Sequence, residues 1–141
     1  MIRFTIPIEP RTKKNHQRIA TTKGGRPFIL PSKQYSEYEN ICGYYIRHKG
    51  ENISVPVNIK CLFYMKTKRK CDLTNLLEAI DDILVKYKVI ADDHYGIVQS
   101  HDGSRVYVDK ENPRTEIIIE DVRFIEHKEN DGKTEAGTGQ A

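Results

Sequence analysis

Asp72 stands just before an apolar-periodic stretch of the sequence, and the pair Asp92-Asp93 stands just after it. Glu78, Asp81 and Asp82 lie inside the stretch. Carboxylates that converge are what a hard cation such as Mg2+ requires. Such an ion activates a water and neutralises charge on a phosphodiester during in-line attack. Immediately before Asp72 runs Lys66-Thr67-Lys68-Arg69-Lys70. Bases that hold a phosphate backbone beside acids that hold a metal suit a nucleic-acid substrate. Each part also has an ordinary use. Asp72 can cap a helix, where its charge suits the dipole. Asp81 and Asp82 can be a solvated face, Asp92-Asp93 a turn, and the 66–70 run a solvated basic loop. The combination says more than any part.

The intervening stretch must position these groups. Leu73, Leu76, Leu77, Ile80, Ile83, Leu84 and Tyr87 recur at helical spacing and predict an amphipathic helix over 73–87. Asn75, Glu78, Asp82 and Lys86 share its polar arc. A helix of that length spans about 22 Å at about 1.5 Å per residue. Residues 88–93 extend at most about 20–22 Å. Asp93 can therefore meet Asp72 in one subunit only if the chain runs straight back along the helix.

Other elements follow from pattern. Ile2, Phe4, Ile6 and Ile8 alternate with polar residues, the period of a strand, and Pro7 and Pro10 end it. Residues 10–31 form a long basic loop carrying Arg11, Lys13, Lys14, His16, Arg18, Lys23 and Arg26, with Gly24-Gly25 inside. Such a loop in a small domain is usually functional or disordered. Ser32 reads as an N-cap, Tyr35, Tyr38, Ile41, Cys42, Tyr45 and Ile46 as a helix face, and Gly50 as its stop. Residues 55–65 read as a strand, as do 96–108 and 115–120, with a turn over 109–114. The order β–loop–α–β–α–β–β predicts an α/β (α+β) single domain: a mixed β-sheet covered by two helices. The domain is placed at 1–123. The tail at 124–141 is nearly devoid of apolar residues and is expected to be disordered.

Composition sets broad limits. The chain has 141 residues, 38% hydrophobic and 30% charged, which fits one soluble domain. No apolar run approaches the roughly 20 residues of a membrane span, and the N-terminus lacks a signal-peptide block. A cytoplasmic protein with no membrane partner is expected. Three cysteines, none in a C-x-x-C pair, argue against a disulfide framework or zinc site. Cys42 and Cys61 fall on apolar faces, and Cys71 has no triad-like context. Net charge is +3. Residues 126–141 hold four acids and two bases, leaving 21 bases against 16 acids in the body. A basic body tolerates a polyanion but does not by itself single out nucleic acid.

The block from Arg69 through Asp82-Ile83-Leu84 to Asp92-Asp93 resembles the RusA family of Holliday-junction resolvases. That family's pattern is R-x-D-x-D-N-L-x-K, a helix with Asp-Ala-Leu, then an Asp-Asp pair. The spacing from Asp72 to Asp93 matches without a gap, and a looser resemblance covers roughly residues 1–121, including a Pro-rich turn followed by Asn15. The resemblance implies a RusA-like homodimer, dependent on Mg2+ or Mn2+, acting as a crossover junction endodeoxyribonuclease in DNA recombination and repair by paired nicks in branched DNA. Carried over by position, Asp72, Asn75, Asp82, Asp92 and Asp93 match family residues. Asp72, Asp93, Glu78 and Asp92 become the catalytic candidates, the first three as metal ligands. Lys13, Lys14, Asn15, Arg18, Lys66, Lys68, Arg69, Lys70 and Asn75 become the DNA-binding candidates. Two positions depart from the pattern: Thr74 stands at the second Asp and Glu78 at the Lys. Glu78 lies one turn beyond Thr74 and faces the same way, so it is expected to replace the missing carboxylate, with Lys68 or Lys70 standing in for the lysine.

Two other functions compete. A DNA-binding protein that kept the fold and lost the chemistry would rely on the 11–26 loop and the 66–70 run. A small metal-dependent phosphohydrolase acting on nucleotides ranks last, since no Gly-rich phosphate loop is present.

Overall fold

The computed structural model describes residues 1–13, 18–30 and 32–122. In chain order the elements are β1 (Ile2–Ile6), β2 (Arg18–Thr21), β3 (Pro27–Leu30), α1 (Lys33–Tyr45), β4 (Val57–Met65), α2 (Leu73–Lys86), β5 (Val98–Ser100), β6 (Arg105–Val108) and β7 (Arg114–Asp121). They form a mixed α+β domain, as the element order predicts.

β4 is the axis of the main sheet. Its alternate residues Val57, Ile59, Cys61, Phe63 and Met65 are all buried, the two-residue period of a strand with one face in the core. β7 pairs antiparallel with β4, and β1 antiparallel with β7. The registers put Phe4, Ile117 and Cys61 in one row and Ile2, Ile119 and Ile59 in the next. On the other side of β4, β5 and β6 both pair with it in parallel. Parallel neighbours need a crossover, and α2 supplies it between β4 and β5.

Both helices join the same core. α2 buries Leu76, Ala79, Ile80, Ile83 and Leu84. In α1, Ser32 caps the first turn, its Oγ accepting from the Tyr35 N–H at 3.1 Å, and Tyr35, Tyr38 and Cys42 are buried. The helices are tied to each other by polar contacts. Tyr87 Oη donates to the Glu39 carbonyl at 2.9 Å, and Lys86 pairs with the Glu39 carboxylate. The space for this tie comes from Gly43, where an added Cβ would lie 2.6 Å from the Tyr87 ring. Glycine inside a helix ordinarily costs stability relative to alanine. Here the sign reverses: Gly43→Ala is expected to destabilise by about 1–3 kcal/mol through overpacking, read as a lower urea midpoint.

Three elements differ from the pattern-based expectation. The 10–31 loop contains the β2–β3 hairpin, closed by Thr22 N–H to Arg26 carbonyl at 2.9 Å, with Gly25 at φ 82°. Its exposed Ile19, Phe28 and Ile29 give no inward face for a period to reveal. α1 ends at Tyr45 rather than near Gly50, because Ile46 leaves helical geometry (φ −87°, ψ 107°) while its side chain stays in the core. The strand expected over 96–108 is broken between Ser100 and Arg105. The buried Asn58 side chain takes over there: its Oδ1 accepts from Ser100 Oγ (2.5 Å) and the Asp102 N–H (2.7 Å), and its Nδ2 donates to the Asp102 carbonyl (3.2 Å). Asp102-Gly103-Ser104 is a turn signal inside an apolar run, and Gly103 does adopt φ 86°. The expected tail at 124–141 lies outside the described residues.

Candidate active site

Asp72 sits at the junction of the 66–70 loop and α2. It occupies the N-cap position, with extended backbone (φ −82°, ψ 128°) and its carbonyl accepting from the Asn75 and Leu76 N–H groups. Its carboxylate does not cap the helix. The side chain is exposed and accepts a long bond from Asn75 Nδ2 at 3.4 Å. An N-cap acid whose oxygens leave the backbone alone is available for other work. Asn75, a DNA-binding candidate, reaches Asp72 through this contact.

The bases expected beside Asp72 are there. Lys66, Lys68, Arg69 and Lys70 are all exposed. Arg69, Lys70 and Cys71 line a cleft of about 40 Å3 together with Arg11 and Thr12 from the segment after β1. Two parts of the chain far apart in sequence therefore meet beside the start of α2, where Glu9 lines the same cleft and pairs with Arg11 at 3.4 Å.

After α2 the chain turns and pairs with the segment around Ile53. Lys88 takes φ 57°, Ile53 N–H donates to the Val89 carbonyl at 3.0 Å, and Ala91 N–H to the Ile53 carbonyl at 2.9 Å. Asp92 Oδ1 then accepts from the Asp93 N–H at 2.8 Å, a local turn contact. His94 starts a tight turn, its carbonyl accepting from the Ile97 and Val98 N–H groups at 2.9 Å each. Val57 N–H bonds the Ile97 carbonyl at 2.7 Å, which delivers the chain into β5 at the start of β4. The charge of Asp93 reaches the Asp81 carboxyl and adds to the rise of its pKa. Among the described residues, no three His, Cys, Asp or Glu side chains converge to hold a metal ion. The expected set of Asp72, Glu78 and Asp93 is thus not gathered into a preformed cage.

Instead the structure brings together a pair that spacing alone does not single out. His101, in the break between β5 and β6, places Nε2 2.9 Å from Asp81 Oδ2 and Nδ1 2.9 Å from the Ile59 carbonyl. A carbonyl can only accept, so Nδ1 carries a proton. The Nε2–Oδ2 bridge then holds one further proton, on the ring or on the carboxyl. Burial disfavours the imidazolium of His101, but the Asp81 bond and charge and the Ile59 carbonyl outweigh it and raise the pKa. The Asp81 carboxyl is also raised, by burial first, only partly offset by His101, with Asp93 and Asp82 adding to the rise. Asp81 Oδ1 is buried without a hydrogen-bond partner.

Both shifts run the same way, so the folded pair binds more protons than the unfolded chain. The His101 part is fully present below the ordinary histidine value of 6.5 and is lost as pH rises through its raised value, whereas the Asp81 part is already lost as pH rises from the ordinary carboxylate value of 3.8 through its own raised value. Asp81→Asn provides the check. The side-chain amide it introduces can donate to a neutral ring, so that variant should not share this alkaline loss. The melting-temperature advantage of the native chain over Asp81→Asn is expected to shrink as pH rises above 6.5. A gap independent of pH would contradict the shared proton.

The remaining candidates divide. Lys13 pairs with Asp82 Oδ2 at 2.5 Å and lies 5.9 Å from the Tyr35 ring centroid, anchoring its loop on α2. Lys14 and Asn15 lie outside the described residues, and so does the Arg18 side chain. Glu78 is exposed on α2. The cysteines are as inert as their contexts imply. Burial pushes Cys42 up to about 12 and Cys61 well above the thiol range. Burial and the Asp72 charge also raise Cys71. His101 is legible in one respect: Asp81 lies on the apolar side of the helix among Leu77, Ile80 and Leu84, and a carboxylate there requires a partner.

Residues 7–120 match the family model described as Endodeoxyribonuclease RusA. The chain is a member of the RusA endodeoxyribonuclease family. The matched span takes in the whole sheet apart from β1 and the end of β7, both helices, the Asp72–Asp93 block and the basic 66–70 loop. The Thr74 and Glu78 departures fall inside it as well. Among curated proteins, none matches the chain. No helix among the described residues of this RusA protein is long and apolar enough to cross a membrane.

Proposed function

We propose that the chain is a Mg2+-dependent endodeoxyribonuclease that resolves four-way junctions or related branched DNA by paired nicks, as a cytoplasmic homodimer. The observation that carries this reading is the family match over residues 7–120, which spans every carboxylate and base named above as a candidate. Two-fold symmetry in a dimer suits a branch point with two equivalent phosphates.

The donor set fits a loosely held hard cation. Mg2+ keeps several waters and is bound through one or two carboxylates plus substrate phosphates. Asp72 offers a carboxylate that no cap consumes, and the cations around it are placed for the phosphate. Asp72 and Asp93, with Glu78, would hold the ion. When bound, it supplies activation of the attacking water and neutralisation of the phosphodiester charge. The protein's own part is positioning. Asn75 orients Asp72, Asp92 fixes the Asp93 turn, and Arg11, Arg69 and Lys70 receive the backbone. Thr74 contributes a hydroxyl in place of a carboxylate, and Glu78, one turn further on, returns the charge.

Neutralising Lys68, Arg69 and Lys70 together is expected to weaken junction binding uniformly across DNA sequences. It should also lower the slope of log affinity against log salt by about 0.9 for each phosphate that the loop no longer neutralises. A salt titration of binding in EDTA measures this, and an unchanged slope would remove the loop from the DNA surface.

A second reading is favoured by one specific observation: Thr74 and Glu78 coincide with a site where, among the described residues, three ligands do not converge. On that reading the protein holds branched DNA without cutting it. A supercoiled plasmid bearing an extruded cruciform separates the two. Linearisation with Mg2+ supports the nuclease, and retention without linearisation under Mg2+ or Mn2+ supports the binder.

A further inference from the structure

The two pieces of chain that carry the candidate ligands belong to different elements. Asp72 and Glu78 ride on α2. Asp93 rides on the segment that leads through β5 to His101. That segment is fastened to the start of β4: Val57 bonds Ile97, Asn58 bonds Ser100 and Asp102, and Ile59 bonds His101. α2 packs on the sheet through apolar contacts, which are non-directional; directional bonds to Glu39 and Ile53 hold its C-terminal end and the residues just after it. His101 bridges them. One ring nitrogen meets the β4 backbone and the other meets Asp81 on α2.

We propose that Asp81 and His101 form a positioning clasp that sets α2, and with it Asp72 and Glu78, at a fixed axial place relative to the Asp93 segment. This rests on the nuclease reading for its consequence, not for its geometry. His101 is not a catalytic residue, because both of its nitrogens are already engaged within the fold. The bond is directional and sits in the buried layer between helix and sheet. It also takes one of the two oxygens of a carboxylate that would otherwise be wholly unpaired there. Asp81 is 9% exposed and His101 is half-buried, so water does not substitute freely for either partner.

The clasp makes an uncommon demand on substitutions. Asp81→Asn preserves it, since the Asn amide can donate to Nε2 while Nδ1–H still meets the Ile59 carbonyl. His101→Ala removes both bonds, and His101→Gln keeps at most one. Amide hydrogen exchange and junction cutting at pH 8 in the full chain, with folding checked by thermal melts, test the proposal. His101→Ala is expected to speed exchange of the Ile97 and Val98 amides at least about tenfold, as local opening there becomes easier. It is also expected to raise the Mg2+ concentration giving half-maximal cutting by about tenfold, with a smaller change in the rate at saturating Mg2+, the order of effect of losing an outer support of a metal site. His101→Gln should fall between, and Asp81→Asn should stay within about twofold of the native chain in both readouts, because its bond geometry is kept. Native exchange rates in His101→Ala would overturn the clasp. So would an Asp81→Asn variant that behaves like His101→Ala, because the shared proton and not the geometry would then be at work. Should the native chain bind junctions and never cut them, the nuclease reading fails, and the exchange measurement still decides the clasp.

Discussion

Asp72→Asn is expected to reduce Mg2+-dependent cutting of a four-way junction by about two to three orders of magnitude. A hard cation contributes several kcal/mol to charge stabilisation at a phosphodiester, and each 1.4 kcal/mol or so is tenfold in rate. The variant should fold normally, because the Asp72 carboxylate makes no cap bond and its backbone carbonyl is unchanged. Asparagine is itself a good N-cap residue, so a small gain in helix stability is consistent with the same geometry. Binding in EDTA should be unchanged or slightly tighter, since one negative charge next to the phosphate backbone is gone. Single-turnover cutting rates beside binding isotherms make the comparison. Cutting that survives the change would remove Asp72 from the metal.

Phe63→Ala is expected to destabilise the fold by about 3–5 kcal/mol, against a total of about 5–15 kcal/mol for a domain. Phe63 is fully buried at the middle of the sheet, between Thr115 on β7 and Val106 on β6. The side chain cannot be replaced by collapse from either neighbour, since both are held by backbone ladders. Urea unfolding followed by circular dichroism reads the loss as a lower midpoint with an unchanged slope. A loss under about 1 kcal/mol would mean that the central strand is more adaptable than its register implies.

Strong periodicity makes most of the architecture legible. α2 is visible from Leu73 to Tyr87 because seven apolar residues fall on one arc, and the structure ends it only one residue earlier. β4 is visible because every second residue is apolar. The β2–β3 hairpin is not, because its apolar side chains face outward and its turn is written in Gly24-Gly25, which reads equally well as a flexible loop. The break in the 96–108 strand is legible only in its local turn signal, Asp102-Gly103-Ser104. It is maintained by Asn58, a residue far away in the sequence, and no local pattern reports a partner that distant.

The site is legible in part. Its residues can be named from spacing and resemblance, and the structure shows Asp72 and the neighbouring bases exposed. It also shows Asp92 tied up in a turn and Lys13 paired with Asp82, uses that a single position cannot reveal. The reach argument allows Asp93 to return along α2 but cannot say where β5 intercepts the chain. That interception depends on the Val57 and Asn58 bonds. It brings the Asp93 charge to bear on Asp81, and it seats His101 between the β4 backbone and α2.

The most direct measurement is cutting of an end-labelled synthetic four-way junction beside a matching linear duplex, with Mg2+ and with EDTA. Symmetric nicks in the junction alone, dependent on Mg2+, are the expected result. A junction bound tightly and left intact under every divalent metal would contradict the nuclease, and would mark Thr74 and Glu78 as the residues at which the chemistry was lost.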